Sequence, residues 1–483
     1  MLLRAYLFLM CMALPFYMTD GYHGLGNAKF NIYRIISIIA IVLIIICLII
    51  FRKSILEENS IKLRAVDYLI FVCIISEIII FLFARDKAES LWGTTGWRMG
   101  FLPSLFFLFF LFAYRNLISI SEWDYLLMLP GPTIAILLAV FNRFGIYPIE
   151  ISGQNASFLS TIGNINWYIG FLAVFLQLIV SSVFVFGYRT TGIYYLIPIE
   201  ILFLVSALTQ GSESGVLMLC ATYVVLLRFA IHTRSSFRRY LFQIFLLGLS
   251  MEIVQLLMYR FGDYYNYEVS MLMSVSQKGM GIILMAASIL VYVITIICAK
   301  RESVWKNYIY RYLYYIIVFA AIAVIFIVAI RSFDDSWGNG RGIIWKISAR
   351  AYSHLDDFRK IVGVGQDGFT LYCKSVPDIN GQIQIAFGSS RLTNAHCLPL
   401  TTIINKGLLG LITYILLFAA IIREAWKKYK DTDINSYVQR ALLINICLLT
   451  FIYIGIGTVS FDHILITPYV FIGMGLCTNR LKS

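Results

Sequence analysis

Two residues in the last third of the sequence could perform chemistry together. Arg341 lies in the run Gly-Arg-Gly-Ile-Ile-Trp, and the guanidinium of an arginine presents a rigid fork of donors that suits phosphate oxygens. His396 follows in the same hydrophilic stretch, and the pKa of a histidine is close enough to neutrality for it to orient or deprotonate a hydroxyl group. Together they suit a reaction in which a hydroxyl group displaces a phosphate-bearing leaving group.

Glycine-containing motifs surround these two residues. Residues 363–369 read Gly-Val-Gly-Gln-Asp-Gly-Phe. They lack the Gly-Lys-Ser or Gly-Lys-Thr ending of a P-loop, so we do not expect a nucleotide there. His396 is followed by Cys397 and then by Gly-Leu-Leu-Gly at 407–410, which predicts a close helix approach that holds the histidine. Taken singly, a loop arginine, a loop histidine and a Gly-x-x-Gly pair are more often solvated or packing features than functional ones.

The elements that must position these residues are membrane helices. The chain has 483 residues, of which 60% are hydrophobic and only 13% are charged, too few charges to coat a soluble protein of this length. Apolar runs such as 35–51 extend over about 17–25 residues without alternation, which is the length that a helix needs to cross a bilayer. Most of the net charge of +13 falls in short loops on one side of these runs, so we do not expect a nucleic-acid partner.

We predict an all-α, polytopic transmembrane bundle of about fourteen spans, with twelve as the alternative, and one large extracytoplasmic loop. Loops rich in lysine and arginine alternate along the chain, and the positive-inside rule places both termini in the cytoplasm. The chain then divides into a membrane bundle of about eleven spans (1–330), a loop with short surface helices (331–400) and about three C-terminal spans (401–483). The predicted spans lie near 3–19, 33–51, 66–84, 100–120, 126–142, 163–187, 193–208, 214–232, 240–258, 277–299, 310–331, 401–422, 439–458 and 462–478.

Several polar residues in or beside the spans have two interpretations. Glu77, Glu200 and Glu252 fall within predicted spans, where ionised groups are costly and either serve function or pair internally. Cys373 and Cys397 are the cysteines of the large loop, and they could form a disulfide or remain unpaired. The sequence contains no Cys-x-x-Cys motif, so it does not support a cysteine-held metal or redox site.

In combination, the motifs resemble those of the O-antigen ligase and polymerase superfamily of bacterial membrane glycosyltransferases. The order is Gly-Arg-x-x-x-Trp at 340–345, Gly-x-Gly at 363–365, and a histidine separated by ten residues from Gly-x-x-Gly. The turn Gly-Asn-Ile-Asn at 163–166 is similar to one that opens a mid-chain helix in this superfamily. Two positions depart from the pattern. Cys397 stands where the ligase signature usually has a polar residue, and Glu213 stands where family members usually carry the arginine of Ser-Arg-Gly.

The resemblance implies transfer of a glycan from a polyprenyl-diphosphate carrier to an acceptor hydroxyl during surface polysaccharide assembly. The superfamily's chemistry needs no metal or other cofactor and inverts the anomeric carbon. Arg341 would grip the diphosphate leaving group, and His396 would align or deprotonate the acceptor. Substrate-binding roles would fall to Arg391, Glu213, Asn166 and Trp345.

The resemblance also implies a cellular location and partners, while the reaction type and the function class stay open. The protein would lie in the bacterial cytoplasmic membrane, with the lipid bilayer, a polyprenyl-diphosphate-linked glycan and a glycan or lipid acceptor as partners. Because a carboxylate at Glu213 cannot bind diphosphate directly, either a residue such as Arg391 or Arg331 supplies a second positive charge or the donor site is altered. The two departures slightly favour a polymerase over a ligase. The competing interpretation is a flippase or exporter of lipid-linked oligosaccharide that uses the intramembrane glutamates, and a membrane receptor or scaffold is the third.

Overall fold

The structure is a computed structural model in which part of the chain is described. The predicted span at 310–331 falls outside the described part except for Ile316, and Arg331 and Arg391 also fall outside it. The described residues are 1–51, 63–118, 124, 127–186, 192–297, 316, 334–388, 392–432 and 436–479.

Helices form nearly all of the described chain, and one short β-hairpin interrupts them. The elements in chain order are α1 (Leu2–Met12), α2 (Leu25–Ile50), α3 (Ala65–Leu82), α4 (Lys87–Trp92), α5 (Phe101–Asn116), α6 (Pro130–Arg143), β1 (Phe158–Leu159), β2 (Gly163–Asn164), α7 (Ile165–Phe186), α8 (Ile193–Thr209), α9 (Ser214–Ala230), α10 (Arg234–Phe261) with a 3-10 turn (Gly262–Tyr264), α11 (Met271–Ser276), α12 (Met280–Ile297), α13 (Trp337–Ser353), α14 (Asp357–Val362), α15 (Phe369–Ser375), α16 (Pro377–Phe387), α17 (Leu398–Asp431), α18 (Tyr437–Gly457) and α19 (Thr467–Cys477).

Seven helices of the described chain are long and apolar enough to cross a membrane, namely α2, α3, α7, α10 with its 3-10 turn, α12, α17 and α18. A helix satisfies its backbone donors and acceptors internally, as a bilayer requires, and α2 and α12 leave most of their aliphatic side chains unburied. Five further apolar helices are shorter, namely α1, α5, α8, α9 and α19. The predicted all-α membrane fold is confirmed at this level, while the count of about fourteen spans and the orientation remain predictions.

The chain forms two compact units. The first unit comprises Met1–Gly131, Asp334–Lys427 and Ile456–Ser483. In it, Gly475 brings α19 against the Leu111 carbonyl of α5, a contact that a larger residue would prevent. The fully buried Arg115 of α5 donates to Asp67 over 3.0 Å and to Glu424 over 2.7 Å. Two carboxylates therefore neutralise a guanidinium that would otherwise be costly to bury.

The hydrophilic stretch of the first unit, predicted as the large loop at 331–400, has a hydrophobic core of its own in its described residues. Helices α13, α15 and α16, the segments beside them and the start of α17 contribute to this core, and the Tyr372 hydroxyl donates to the Ala351 carbonyl over 2.7 Å. This core packs beneath the segments that carry Arg341 and His396 and therefore holds both residues in place. The buried core residues are Ile344, Ile347, Ala351, Leu355, Val364, Phe369, Tyr372, Cys373, Ile379, Ile383, Leu392, Ala395 and Ile404.

The second unit comprises Pro132–Phe333 and Lys428–Gly455. Its α7 is almost entirely buried, as expected of a helix that is hydrophobic all round. Helices α10 and α12 pack closely where a Cβ on Gly248 would come within 2.8 Å of the Gly281 carbonyl oxygen. The antiparallel β1–β2 hairpin leads directly into α7.

Candidate functional site

His396 lies two residues before α17, in a backbone conformation that is unusual for a residue with a side chain. Its φ is 47°, in the left-handed region that disfavours residues other than glycine and that recurs at functional positions. The Asn394 side chain accepts from the His396 backbone N–H over 2.8 Å, and the Thr401 hydroxyl accepts from the Ala395 N–H over 3.1 Å. These two side-chain bonds hold the turn that carries the imidazole beside the amino-terminal end of α17, where a helix favours negative charge.

Arg341 lies near the start of α13 and is partly buried. Its Nη1 donates to the Gly338 carbonyl over 2.9 Å. Within the described residues its buried Nε has no hydrogen-bond partner, and its guanidinium forms no ion pair. Burial lowers the pKa of Arg341, but a guanidinium keeps its charge in proteins. The described chain thus holds a positive charge for which it provides no carboxylate.

The structure brings Arg341 and His396 close enough to interact electrostatically. Burial, and in second place the positive charge of Arg341, lower the pKa of His396 to about 4. The imidazole is therefore neutral at physiological pH and can accept a proton. A neutral imidazole can accept a hydrogen bond from a hydroxyl group, and an anion bound at Arg341 would offset the positive charge that lowers the pKa of His396 and so make it a stronger base.

The second and third sequence motifs meet at a break in α17. Gly407 has a φ of 63° and a ψ of −171°, so the helix is interrupted there. The backbone N–H groups of Val364 and Gly365 donate to the carbonyls of Ile404 and Asn405, each over 3.0 Å. A Cβ on Gly407 would overlap the Ile361 carbonyl. The close approach expected at this glycine is present, although its partner is the Gly-Val-Gly stretch and not a second membrane helix.

A buried ion pair connects the break in α17 to α3. Lys406 Nζ lies 2.5 Å from Glu77 Oε1, and the Tyr414 hydroxyl donates to the same oxygen over 2.8 Å. Gln366 Nε2 donates to Glu77 Oε2 over 2.9 Å. Glu77, which had two interpretations in the sequence, is therefore paired internally. Lys406 was not predicted as its partner, because a single lysine beside a Gly-x-x-Gly pair carries no distinctive signal.

Aromatic side chains flank His396. The Phe461 ring meets the imidazole edge to face at 5.2 Å between centroids, and Trp97 packs against Phe461 at 4.5 Å. Trp97 also faces His463 at 6.0 Å. These rings form an apolar side to the site that sequence spacing could not reveal.

Asp367 connects the Gly-rich stretch to the loop that carries Trp97. Its Oδ2 accepts from the Thr94 N–H over 2.6 Å and from the Met99 N–H over 3.3 Å. Burial raises the pKa of Asp367 to about 7, and the two N–H donors act in the opposite direction. The residue positions Trp97 through the backbone around it, and no hydrogen bond described for it involves Arg341 or His396.

The remaining predicted site residues occupy different places. Trp345 lies on α13, meets Trp337 at 5.0 Å between centroids and packs against the core of the hydrophilic stretch. Asn166 and Glu213 belong to the second unit. The Asn166 N–H donates to the Asn164 side chain over 2.9 Å, and Glu213 Oε1 accepts from the Met271 N–H over 3.0 Å. The side chains of Asn164 and Glu213 thus each support the start of a helix, and Asn166 lies in the first turn of α7.

Arg143 is a fully buried cation of the second unit that the sequence did not single out, and it lies beneath the loop before Glu213. Its Nε and Nη2 donate to the Gln210 carbonyl over 3.0 and 2.6 Å, and its Nη1 donates to the Ala156 carbonyl over 2.6 Å. The guanidinium also lies 4.3 Å from the Tyr267 ring centroid. These acceptors are backbone carbonyls of two loops, so Arg143 holds the two loops together.

The structure also shows the surroundings of the other glutamates and cysteines that the sequence left with two interpretations. Glu200 accepts from Gln243 over 3.2 Å, and Glu252 accepts from the Ile282 N–H over 2.9 Å. Cys373 and Cys397 are free thiols, and burial raises the pKa of both. Among the described residues, no group of three or more histidine, cysteine, aspartate or glutamate side chains could hold a metal ion.

Comparison of the whole chain with known proteins finds no matching family model and no matching curated protein. A function for this chain therefore has to be inferred from the residues of the site and from the ordered motifs.

Proposed function

We propose that the protein is a membrane glycosyltransferase that moves a glycan from a polyprenyl-diphosphate carrier to an acceptor hydroxyl. One observation carries the proposal. Within the described chain the partly buried guanidinium of Arg341 has no carboxylate partner, and its positive charge helps to lower the pKa of His396. The buried Nε of Arg341 has no acceptor within the described chain, and a charge withdrawn from water normally has a partner, so we take an anionic ligand as the partner of Arg341.

The proposed reaction assigns one task to each residue. His396 accepts the proton of the acceptor hydroxyl, whose oxygen forms a bond to the anomeric carbon of the donor. The bond between that carbon and the diphosphate oxygen breaks, and its electron pair leaves with the polyprenyl diphosphate. Arg341 binds this leaving group and stabilises the charge that develops on it. The proton on His396 then passes to water, which restores the base.

Two further features support this assignment. The left-handed backbone of His396 is held by Asn394 and Thr401, so the base is positioned before substrate binds. The Phe461 ring packs against one side of the imidazole, and an apolar neighbour of this kind strengthens the interaction between Arg341 and an anion. The superfamily resemblance, with its slight preference for a polymerase, supplies the substrate class.

Release of polyprenyl diphosphate by the purified protein in nanodiscs tests this function. The protein would receive a polyprenyl-diphosphate-linked glycan and candidate acceptors, beside His396→Ala and the control His354→Ala. His354 is half-exposed and lies at the end of α13. We expect release by the wild type and by His354→Ala, and a loss of about 100-fold or more in His396→Ala.

The same preparation separates the competing function. Movement of the lipid-linked glycan between leaflets without release of polyprenyl diphosphate would favour a flippase. Glycosyl transfer that proceeds equally in His396→Ala would keep the enzyme class and reject the assigned base. The size of the product, a lengthened glycan or a single transfer, distinguishes a polymerase from a ligase.

A further inference from the structure

A cavity in the second unit is apolar in its walls and cationic at one side. It has a volume of about 500 Å³ and lies among the end of α7, the start of α8, the first turns of α10 and the middle of α12. Its apolar lining includes Val183, Leu241, Phe242 and Ile289. This volume falls within the range of pockets that bind small molecules.

Two consecutive arginines line the same cavity, and their described bonds go to uncharged acceptors. Arg238 Nε donates to the Thr295 hydroxyl over 3.1 Å, and its Nη2 donates to the Thr295 carbonyl over 3.0 Å. Arg239 Nη1 donates to the Val185 carbonyl over 2.9 Å, and its Nη2 donates to the Ser236 hydroxyl over 3.1 Å. These bonds orient both guanidinium groups at the cavity.

Aromatic rings support the same two side chains. The Arg238 guanidinium lies 5.7 Å from the Tyr292 ring centroid, and the Arg239 guanidinium lies 5.5 Å from that of Phe184. Within the described chain, the bonds of Arg238 leave its Nη1 available to a ligand. Guanidinium groups held in this way are suited to phosphate oxygens.

We infer that this cavity binds an anionic phospholipid, with the phosphate at Arg238 and Arg239 and part of an acyl chain between the apolar walls. A soluble phosphate compound would make no use of the apolar lining, and a neutral lipid would make no use of two arginines. In the predicted orientation the start of α10 faces the cytoplasm, where basic pockets between membrane helices bind anionic headgroups. This site uses residues of the second unit alone and does not depend on the proposed transfer reaction.

Native mass spectrometry of the protein titrated with phosphatidylglycerol or with phosphatidylcholine of the same acyl chains tests the inference. We expect phosphatidylglycerol to bind more tightly. The double variant Arg238→Gln/Arg239→Gln should bind phosphatidylglycerol about 30-fold more weakly, with little change for phosphatidylcholine. Arg260→Gln is the matched control, because Arg260 lies at the opposite end of α10 and should leave both affinities unchanged.

A second variant separates the site from the fold. Ile289 lines the cavity and is 52% exposed, so Ile289→Trp should fill the cavity while both arginines stay in place. We expect it to weaken phosphatidylglycerol binding although the protein keeps its helical circular dichroism. Equal affinity for the two lipids, or wild-type phosphatidylglycerol binding in both the double variant and Ile289→Trp, would overturn the inference. Tight binding of a polyprenyl phosphate without binding of phosphatidylglycerol would also overturn it.

Discussion

Replacing Lys406 with methionine should destabilise the protein strongly, because it leaves a buried carboxylate without its cation. Glu77 is fully buried and accepts from Lys406 over 2.5 Å, from Tyr414 over 2.8 Å and from Gln366 over 2.9 Å. In Lys406→Met two neutral donors remain for one negative charge. Breaking a buried ion pair in this way costs about 3–5 kcal/mol.

The double variant Glu77→Gln/Lys406→Met removes both charges and should restore much of that loss. We expect it to be more stable than Lys406→Met, with a coupling free energy of about 2 kcal/mol or more between the two positions. The assay is the free energy of unfolding, measured by titrating the detergent-solubilised protein with a denaturing detergent. Lys360→Met is the control, because Lys360 pairs with Asp357, which is 99% exposed, and exposed pairs contribute little. Additive effects at Glu77 and Lys406 would refute the reasoning, since they would mean that the two charges do not interact.

The remaining predictions concern the break in α17 and the titration of the proposed base. Gly407→Ala should lower the free energy of unfolding by about 1–3 kcal/mol through backbone strain alone, and overlap with the Ile361 carbonyl should add to this loss. The control is Gly381→Ala in α16, which has open space around it and should be neutral or stabilising. The pH profile of kcat/KM should stay level as pH falls from neutrality and decline only near pH 4, because burial and Arg341 lower the pKa of His396 to about 4. Arg341→Gln removes the effect of the positive charge and should move the decline in kcat/KM to higher pH. A decline in the wild type near pH 6.5, the ordinary pKa of histidine, would contradict the described environment of His396.

The class of fold could be predicted from the sequence because membrane helices depend on local composition. Runs such as Leu25–Ile50 and Met280–Ile297 must satisfy their backbones internally and face lipid, so hydropathy alone indicates them. The core of the hydrophilic stretch could not be predicted in the same way. It joins residues as distant in sequence as Ile344 and Ile404, and such long-range packing leaves no periodic signal.

The sequence indicated candidate residue types for the site, whose roles stay predictions, but not the side chains that support them. Arg341 and His396 were selected because their chemistry and motif order are informative, and the structure adds that the charge of Arg341 acts on His396. Phe461 and Lys406 were missed because one is an ordinary aromatic and the other a single charge, and their importance comes only from the side chains that surround them. Arg391 and Arg331, expected as compensating cations, lie outside the described residues.

The most direct test of the central claim is the rate of polyprenyl-diphosphate release by Arg341→Gln, compared with Arg350→Gln on the same helix. Arg350 is about half exposed and pairs with Asp378 over 2.8 Å, so its loss should leave the rate close to that of the wild type. If Arg341 binds the diphosphate leaving group, Arg341→Gln should reduce the rate by about 100-fold or more. Equal rates for the two variants would contradict the claim that the uncompensated charge of Arg341 serves transfer.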